Sequence, residues 1–387
     1  MKIAVVGGGA AGCFCAVNIK KLRPEAEVTV YDAGAAPMRK LAVTGGGRCN
    51  ITNTFEGVDD LRKVYPRGHN IMKRLLRAFS PEDTVRWWES EGVALHAEER
   101  GCVFPDSQDA MQVVRTLERL MRRSGVRLET GRRITEPEGL GDIIVVATGG
   151  GLPDIVKSYP KLETEPVTPA LFPVKCTCGE LRALSGIIAP EARVSLPGTK
   201  FSAAGELLIT DFGFSGPAEL RLSSYASRYL SEKQCRCGML VDWLGLGREG
   251  AEELLIRNIA AYPQKNIGNV PPEGLSARLW ELILARAGVS GAAKCSQLQG
   301  GKALRRLASA LGEDLYELDG RAAFKGEIVR AGGIAAASVR PDTLEAREYP
   351  GLYFAGEVLD IDGITGGFNL QAAWSTAMAV ARSVAEG

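Results

Sequence analysis

An apolar strand running straight into Gly-x-Gly-x-x-Gly is the feature that most narrows what this chain can fold into. Lys2-Ile-Ala-Val-Val-Gly7-Gly-Gly9-Ala-Ala11-Gly12 reads as strand, turn and helix start. Gly7 permits the tight turn, Gly9 lets the backbone approach a pyrophosphate, and Gly12 allows close packing of helix on strand. The anion then rests on the helix N-terminus, where free N–H groups and the dipole stabilise it. Ala11, in the first turn, belongs to the same cradle. A second strand, residues 27–31, ends at Asp32. That is about the twenty residues downstream at which an acid accepts hydrogen bonds from an adenosine ribose. A carboxylate there disfavours a 2′-phosphate, so the expected dinucleotide is FAD or NAD rather than NADP.

Three glycines in a row mark the next such stretch, Arg39-Lys40-Leu-Ala-Val-Thr-Gly45-Gly46-Gly47-Arg48-Cys49-Asn50-Ile-Thr-Asn53. Exposed N–H groups beside a fixed cation suit a phosphate or the polar edge of a flavin. A buried parallel strand, residues 142–147, ends in Thr148-Gly149-Gly150-Gly151, and the carboxyl ends of such strands are where open α/β sheets bind ligands. Near the C-terminus, the apolar strand 351–355 runs into Gly356-Glu357, and Gly366-Gly367-Phe368-Asn369-Leu370 opens a last helix.

The Gly-Gly-Gly-Arg-Cys-Asn loop together with Phe354-Ala-Gly-Glu-Val-Leu-Asp-Ile-Asp-Gly-Ile-Thr-Gly-Gly-Phe-Asn-Leu-Gln371 resembles the YhiN/BaiN-like bacterial flavoproteins, also labelled aminoacetone-oxidase-family FAD-binding enzymes. The resemblance spans essentially the whole chain. It departs at Asp32, where relatives often carry Glu, at Phe368 in place of a commoner Tyr, and at Asp211 in place of a frequent His. It implies an α/β fold: a split Rossmann-like FAD-binding domain of glutathione-reductase type, with an inserted small β-barrel-like unit and a helical unit. It also implies that Glu357 reaches the ribityl chain and that the N–H groups at residues 366–370 face the flavin N1/O2 edge.

Length and patterning set the boundaries. A chain of 387 residues fits two or three units of about 100–200 residues each. The expected division is 1–160 and 332–387 for the FAD-binding domain, 161–247 for an antiparallel β unit and 248–331 for a helical unit with a return strand from Ala322 to Val329. Within the first part, Ser80-Pro-Glu-Asp83 predicts a capped helix start. Ala110, Val113, Val114, Leu117 and Met121 share one helical face.

Lys+Arg at 47 against Asp+Glu at 46 gives a net charge of +1, hence no global field to attract nucleic acid or an anionic membrane. No apolar run approaches the ~18 residues of a membrane span. Nine cysteines, odd in number and sparse, fit reduced thiols. A cytoplasmic protein acting on a small molecule, without nucleic acid or membrane partner, is the expectation.

Arg48 and Cys49 are the catalytic candidates. Arg48 carries a permanent charge able to stabilise pyrophosphate or reduced flavin. Cys49, beside it, could have a depressed pKa, although a small side chain filling a tight loop is the commoner role. His69 and His96 lack partner spacing, and no Cys-x-x-Cys or metal-ligand pattern occurs. The Cys176/Cys178 and Cys235/Cys237 pairs would form a thiolate site only if adjacent in the β unit. With no second dinucleotide motif, NAD(P)H would dock transiently over a non-covalently held FAD. The expected activity is flavin-mediated hydride transfer on a small organic substrate; a flavin-bearing redox sensor is the alternative, and RNA modification is disfavoured by the balanced charge.

Overall fold

Ile3-Ala-Val-Val6 and Ile143-Ile-Val-Val146 are apolar at every position rather than at alternate ones, as strands covered on both faces must be. In the computed structural model, which describes residues 1–298, 300–322 and 329–387, they lie at the centre of a five-stranded parallel sheet. Its strand order is Leu352–Phe354, Ile143–Val146, Lys2–Val6, Glu27–Tyr31, Arg127–Glu129. The late strand returns to the edge beside Ile143–Val146, so the nucleotide-binding domain is split as expected.

The first helix, Ala10–Leu22, is buried from Ala11 through Ile19 because it packs along the last helix, Phe368–Glu386. Alanines at 372, 373, 377 and 381 of that last helix are buried and allow the close approach. Phe14 anchors the junction, its ring 4.5 Å from Trp87 and 5.1 Å from Trp374. Such pairs contribute about 0.5–1.5 kcal/mol each beyond their buried area. The predicted capping box is present: Ser80 Oγ accepts from the Asp83 N–H at 3.1 Å and Asp83 Oδ2 from the Ser80 N–H at 2.9 Å. The five predicted apolar positions of the Ala110–Ser124 helix are all buried.

Residues Met1–Thr168 and Val329–Gly387 form one unit and Pro169–Ile328 the other. In the second, six strands close an antiparallel barrel in the order Ile188–Ser195, Ser202–Ile209, Gly213–Ser215, Val174–Cys176, Asp314–Arg321, Gly238–Asp242. Closure removes the exposed edges that an open sheet would present. The closing strand, Asp314–Arg321, lies beyond three helices, Gly247–Ala261, Ala277–Arg286 and Lys302–Gly312. Barrel residues Phe214, Trp243 and Tyr316 accordingly share one core with Leu255, Trp280 and Leu307 of those helices. The segments 161–247 and 248–331, read from sequence as separate units, are therefore built around a common interior. The predicted return strand from Ala322 falls largely on residues 323–328, outside the described residues. Asp314–Arg321 also runs between the strands bearing Cys176 and leading from Cys237, so the two cysteine pairs are not on neighbouring strands. Among the described residues no helix is long and apolar enough to cross a membrane.

Candidate cofactor site

The crevice opens at the sheet's topological switch point, between the carboxyl ends of Lys2–Val6 and Ile143–Val146. Gly7 is required there: its φ is +117°, and a Cβ would lie 2.3 Å from the Ala147 carbonyl oxygen. At Gly12 a Cβ would lie 1.9 Å from the Gly7 carbonyl oxygen, which is the close helix–strand approach read from the sequence. Gly9 caps the first helix, with no side-chain acceptor and no acid in the first turn. The helix's leading N–H groups are thus left for an external anion. Asp32 is fixed by two backbone donors, the Gly8 N–H to Oδ2 at 2.8 Å and the Gly34 N–H to Oδ1 at 2.6 Å. Each carboxylate oxygen retains a lone pair for a further donor.

Five of the predicted residues, Ala11, Lys40, Gly149, Gly356 and Glu357, meet beside this helix start. A Cβ on Gly356 would stand 2.8 Å from that of Ala11. The next side chain, Glu357, accepts the Arg330 N–H on Oε1 at 2.8 Å and lies 3.6 Å from Lys40 Nζ on Oε2. Gly149 and Gly150 face the same carboxylate, a Cβ on Gly150 being 2.6 Å from Oε1. Thr148, just before them, is exposed. One oxygen of Glu357 therefore already accepts from backbone, and Oε2, beside Lys40, is the more open to a ligand hydroxyl.

The triple-glycine loop is held against the last helix by side chains that the sequence reading did not single out as site residues. Trp374 Nε1 donates to the Ile51 carbonyl at 2.9 Å, Thr52 bonds to the buried Gln371, and Asn53 Nδ2 donates to the Gly366 carbonyl at 2.9 Å. Asn50 Oδ1 accepts the Val103 N–H at 3.2 Å and lies 2.8 Å from where a Gly367 Cβ would stand. Gly367 begins the last helix with neither a side-chain cap nor an acid in the first turn. Asn53 and Gln371 end the two long motifs, which was their only signal. Arg67, paired with the fully buried Asp362, gave none.

The side chains around the expected N–H groups have structural partners of their own. The Phe368 ring is buried, 5.0 Å from Phe55 and 6.0 Å from Tyr65, and Asn369 bonds twice to Gly363, each at 2.8 Å. They brace the turn around Gly366 and Gly367, with Leu370 half-buried behind them. Arg48 stacks on Phe104 at 4.1 Å and donates to Glu98 at 3.0 Å and Gln108 at 3.0 Å. Its charge already has a carboxylate partner, which corrects the picture of a free cation in the loop. Cys49 is fully buried, and burial pushes its thiol up to about 12, against a smaller opposing effect of the Thr44 hydrogen bond. A depressed pKa is thereby excluded: the guanidinium expected to lower it is turned to Glu98. His96, for which the sequence showed no partner spacing, bonds to Asp106 at 2.8 Å and Gln108 at 3.0 Å, and the Asp106 hydrogen bond raises its pKa.

The cradle fits an FAD. A Cβ on Gly9, Gly46 or Gly47 would meet nothing within 4 Å, so these backbones face open space, beside two uncapped helix starts suited to anionic groups.

The model of the family described as HI0933-like protein Rossmann domain matches residues 1–153 and 248–383. A 3-dehydro-bile acid delta(4,6)-reductase of Clostridium scindens is 28% identical over 415 residues, covering 100% of this chain and 99% of that protein. A ribosomal RNA dihydrouridine synthase of Escherichia coli is 30% identical over 407 residues, covering 98% and 97% respectively. Among solved structures, the fold is similar to that of a 3-ketosteroid delta1-dehydrogenase from Sterolibacterium denitrificans, with a TM-score of 0.50 and 12% identity over 99% of each chain.

Proposed function

Since this chain belongs to the HI0933-like family and is an FAD-dependent oxidoreductase, we propose that it saturates a carbon–carbon double bond conjugated to a carbonyl, with NAD(P)H as electron donor and a uracil ring as substrate. Support comes from the names of two full-length relatives. A delta(4,6)-reductase and a dihydrouridine synthase both add two hydrogens to a ring double bond. The sensor alternative loses its motive beside them. The balanced net charge argued against nucleic acid only as an average over the surface, and the name of the Escherichia coli relative keeps RNA in view. A small ring enone is the second reading, favoured by the name of the Clostridium relative.

When bound and reduced by NAD(P)H, the flavin would supply a hydride to one carbon of the double bond, while the other would take a proton from solvent. In this reading the Gly9–Gly12 turn holds the pyrophosphate and Asp32 the adenosine ribose. Glu357 Oε2 accepts from the ribityl chain, with Lys40 close enough to neutralise it. The N–H groups at Gly366 and Gly367, at a helix's positive end, face the ring edge where charge accumulates on reduction. Arg48 acts through Phe104 and Glu98 to set the loop's shape. The absence of a second dinucleotide motif leaves NAD(P)H to meet the flavin directly and weakly, so flavin bleaching should rise with donor concentration without early saturation.

Anaerobic stopped-flow absorbance tests this in two stages. NAD(P)H should bleach the yellow protein, and a uridine-containing transcript should restore the colour while gaining two hydrogens by mass spectrometry. Restoration by a ring enone alone would replace the uracil reading with the second one. Restoration by neither would sink the proposal.

A further inference from the structure

We propose that a basic groove on the helical part of the Pro169–Ile328 unit grips the phosphate backbone of an RNA substrate, an inference that rests on the uracil reading. The groove has a volume of about 580 Å³. Its floor is one face of the Lys302–Gly312 helix: Lys302, Arg305, Arg306 and Ser309 recur at helical spacing while Leu304, Leu307, Ala308 and Leu311 bury the opposite face. Gly312 brings in a second wall. A Cβ there would lie 2.6 Å from the Gly247 carbonyl carbon, so the start of the Gly247–Ala261 helix, with Arg248, lies against the end of the first.

The charges in the groove are not balanced by one another. Arg286 is neutralised by Asp314 at 2.6 Å and stacks on Tyr316 at 4.3 Å, and Arg306 is tied to the Gly288 carbonyl at 3.5 Å. Arg248, Lys302 and Arg305 are exposed and have no ion-pair partner among the described residues. Among the described residues, Glu313 is the one other carboxylate that lines the groove. In a chain with 47 basic and 46 acidic side chains, this is a local concentration that the net charge conceals.

The lining also says what kind of anion fits. Its apolar members are Ala287 and Ala310, so it offers no bulky wedge for a bilayer. Among the described residues no aromatic ring lines it, so no aromatic platform is offered to a base. Long cationic side chains without stacking partners hold phosphates and leave sequence unread. The groove would therefore supply sequence-independent affinity for the RNA backbone.

The test uses the FAD-loaded protein and a fluorescein-labelled, uridine-rich RNA hairpin, followed by anisotropy over a range of salt concentrations. Arg248→Gln, Lys302→Gln and Arg305→Gln are combined in one variant. Removing three phosphate contacts should weaken binding on the order of tenfold or more and flatten the log–log salt slope by about two. FAD content and bleaching by NAD(P)H should be unchanged, and a variant with both arginines changed to lysine should bind nearly as wild type. If the triple variant keeps wild-type affinity and slope, the groove is not the docking surface, whatever becomes of the uracil reading. If the wild type binds no RNA but reduces a ring enone, that reading has failed and the groove proposal with it. Binding to phosphatidylserine vesicles in place of RNA would likewise overturn it.

Discussion

Glu357 and Cys49 show how much a single side chain's surroundings decide. Glu357 accepts the Arg330 N–H and lies beside Lys40, and the proposed reading gives its remaining lone pairs to the cofactor. Glu357→Ala should reduce FAD affinity by on the order of 1.5–3 kcal/mol, or roughly ten- to a hundredfold. Isothermal titration of the apo protein with FAD measures this, and an unchanged constant would remove Glu357 from the site. Cys49 is expected to be silent. Its thiol keeps its proton up to about 12 when folded, against an ordinary value of 9.0. The stability this contributes is complete below the ordinary value and is lost as pH rises from there through the folded value. Iodoacetamide near pH 8 should leave Cys49 unmodified in the native protein and label it after unfolding, and Cys49→Ser should bleach with NAD(P)H at the wild-type rate. Native-state labelling detected by peptide mass spectrometry would contradict the burial argument.

Elements differ in how much of their role can be read locally. The Gly7–Gly12 turn and Asp32 were legible because a tight turn, a helix start and a strand end obey rules spanning a few residues. Arg48 was not, since its partners Glu98 and Gln108 stand fifty and sixty residues away and no spacing rule links them. The barrel was foreseen as a β unit, but its closure was not, because Asp314–Arg321 reaches it from beyond the helices. Phe368 and Asn369 were read through their backbone N–H groups, and no local rule showed that their side chains brace the turn around Gly366 and Gly367. The last helix carries the clearest prediction at this scale. It fixes the triple-glycine loop through Trp374 Nε1, and Trp374→Phe would leave the Ile51 carbonyl without its donor in a buried setting. The cost should be about 1–3 kcal/mol, measured by chemical denaturation, together with weaker FAD retention. Loss of stability with FAD affinity intact would mean that the loop does not depend on this tie.

At the scale of the molecule, each unit is completed by a segment distant in sequence. The Pro169–Ile328 unit has its own closed barrel and core, so a fragment of residues 169–328 should unfold cooperatively by circular dichroism and remain colourless with added FAD. A fragment of residues 169–247 lacks the closing strand and should not. If the shorter fragment folds cooperatively, the shared core is not needed. The other unit waits still longer for its last parts, the strand Leu352–Phe354 and the helix Phe368–Glu386. At a synthesis rate of about 5–20 residues per second, roughly ten to forty seconds separate emergence of the first 168 residues from that of the late strand. During that interval the nascent chain exposes Ile143–Val146 as an unpaired edge and the first helix without its cover. The cradle proposed for FAD is therefore incomplete until the late strand and the last helix have emerged, and in the meantime the open edge of Ile143–Val146 is a surface on which other strands could pair.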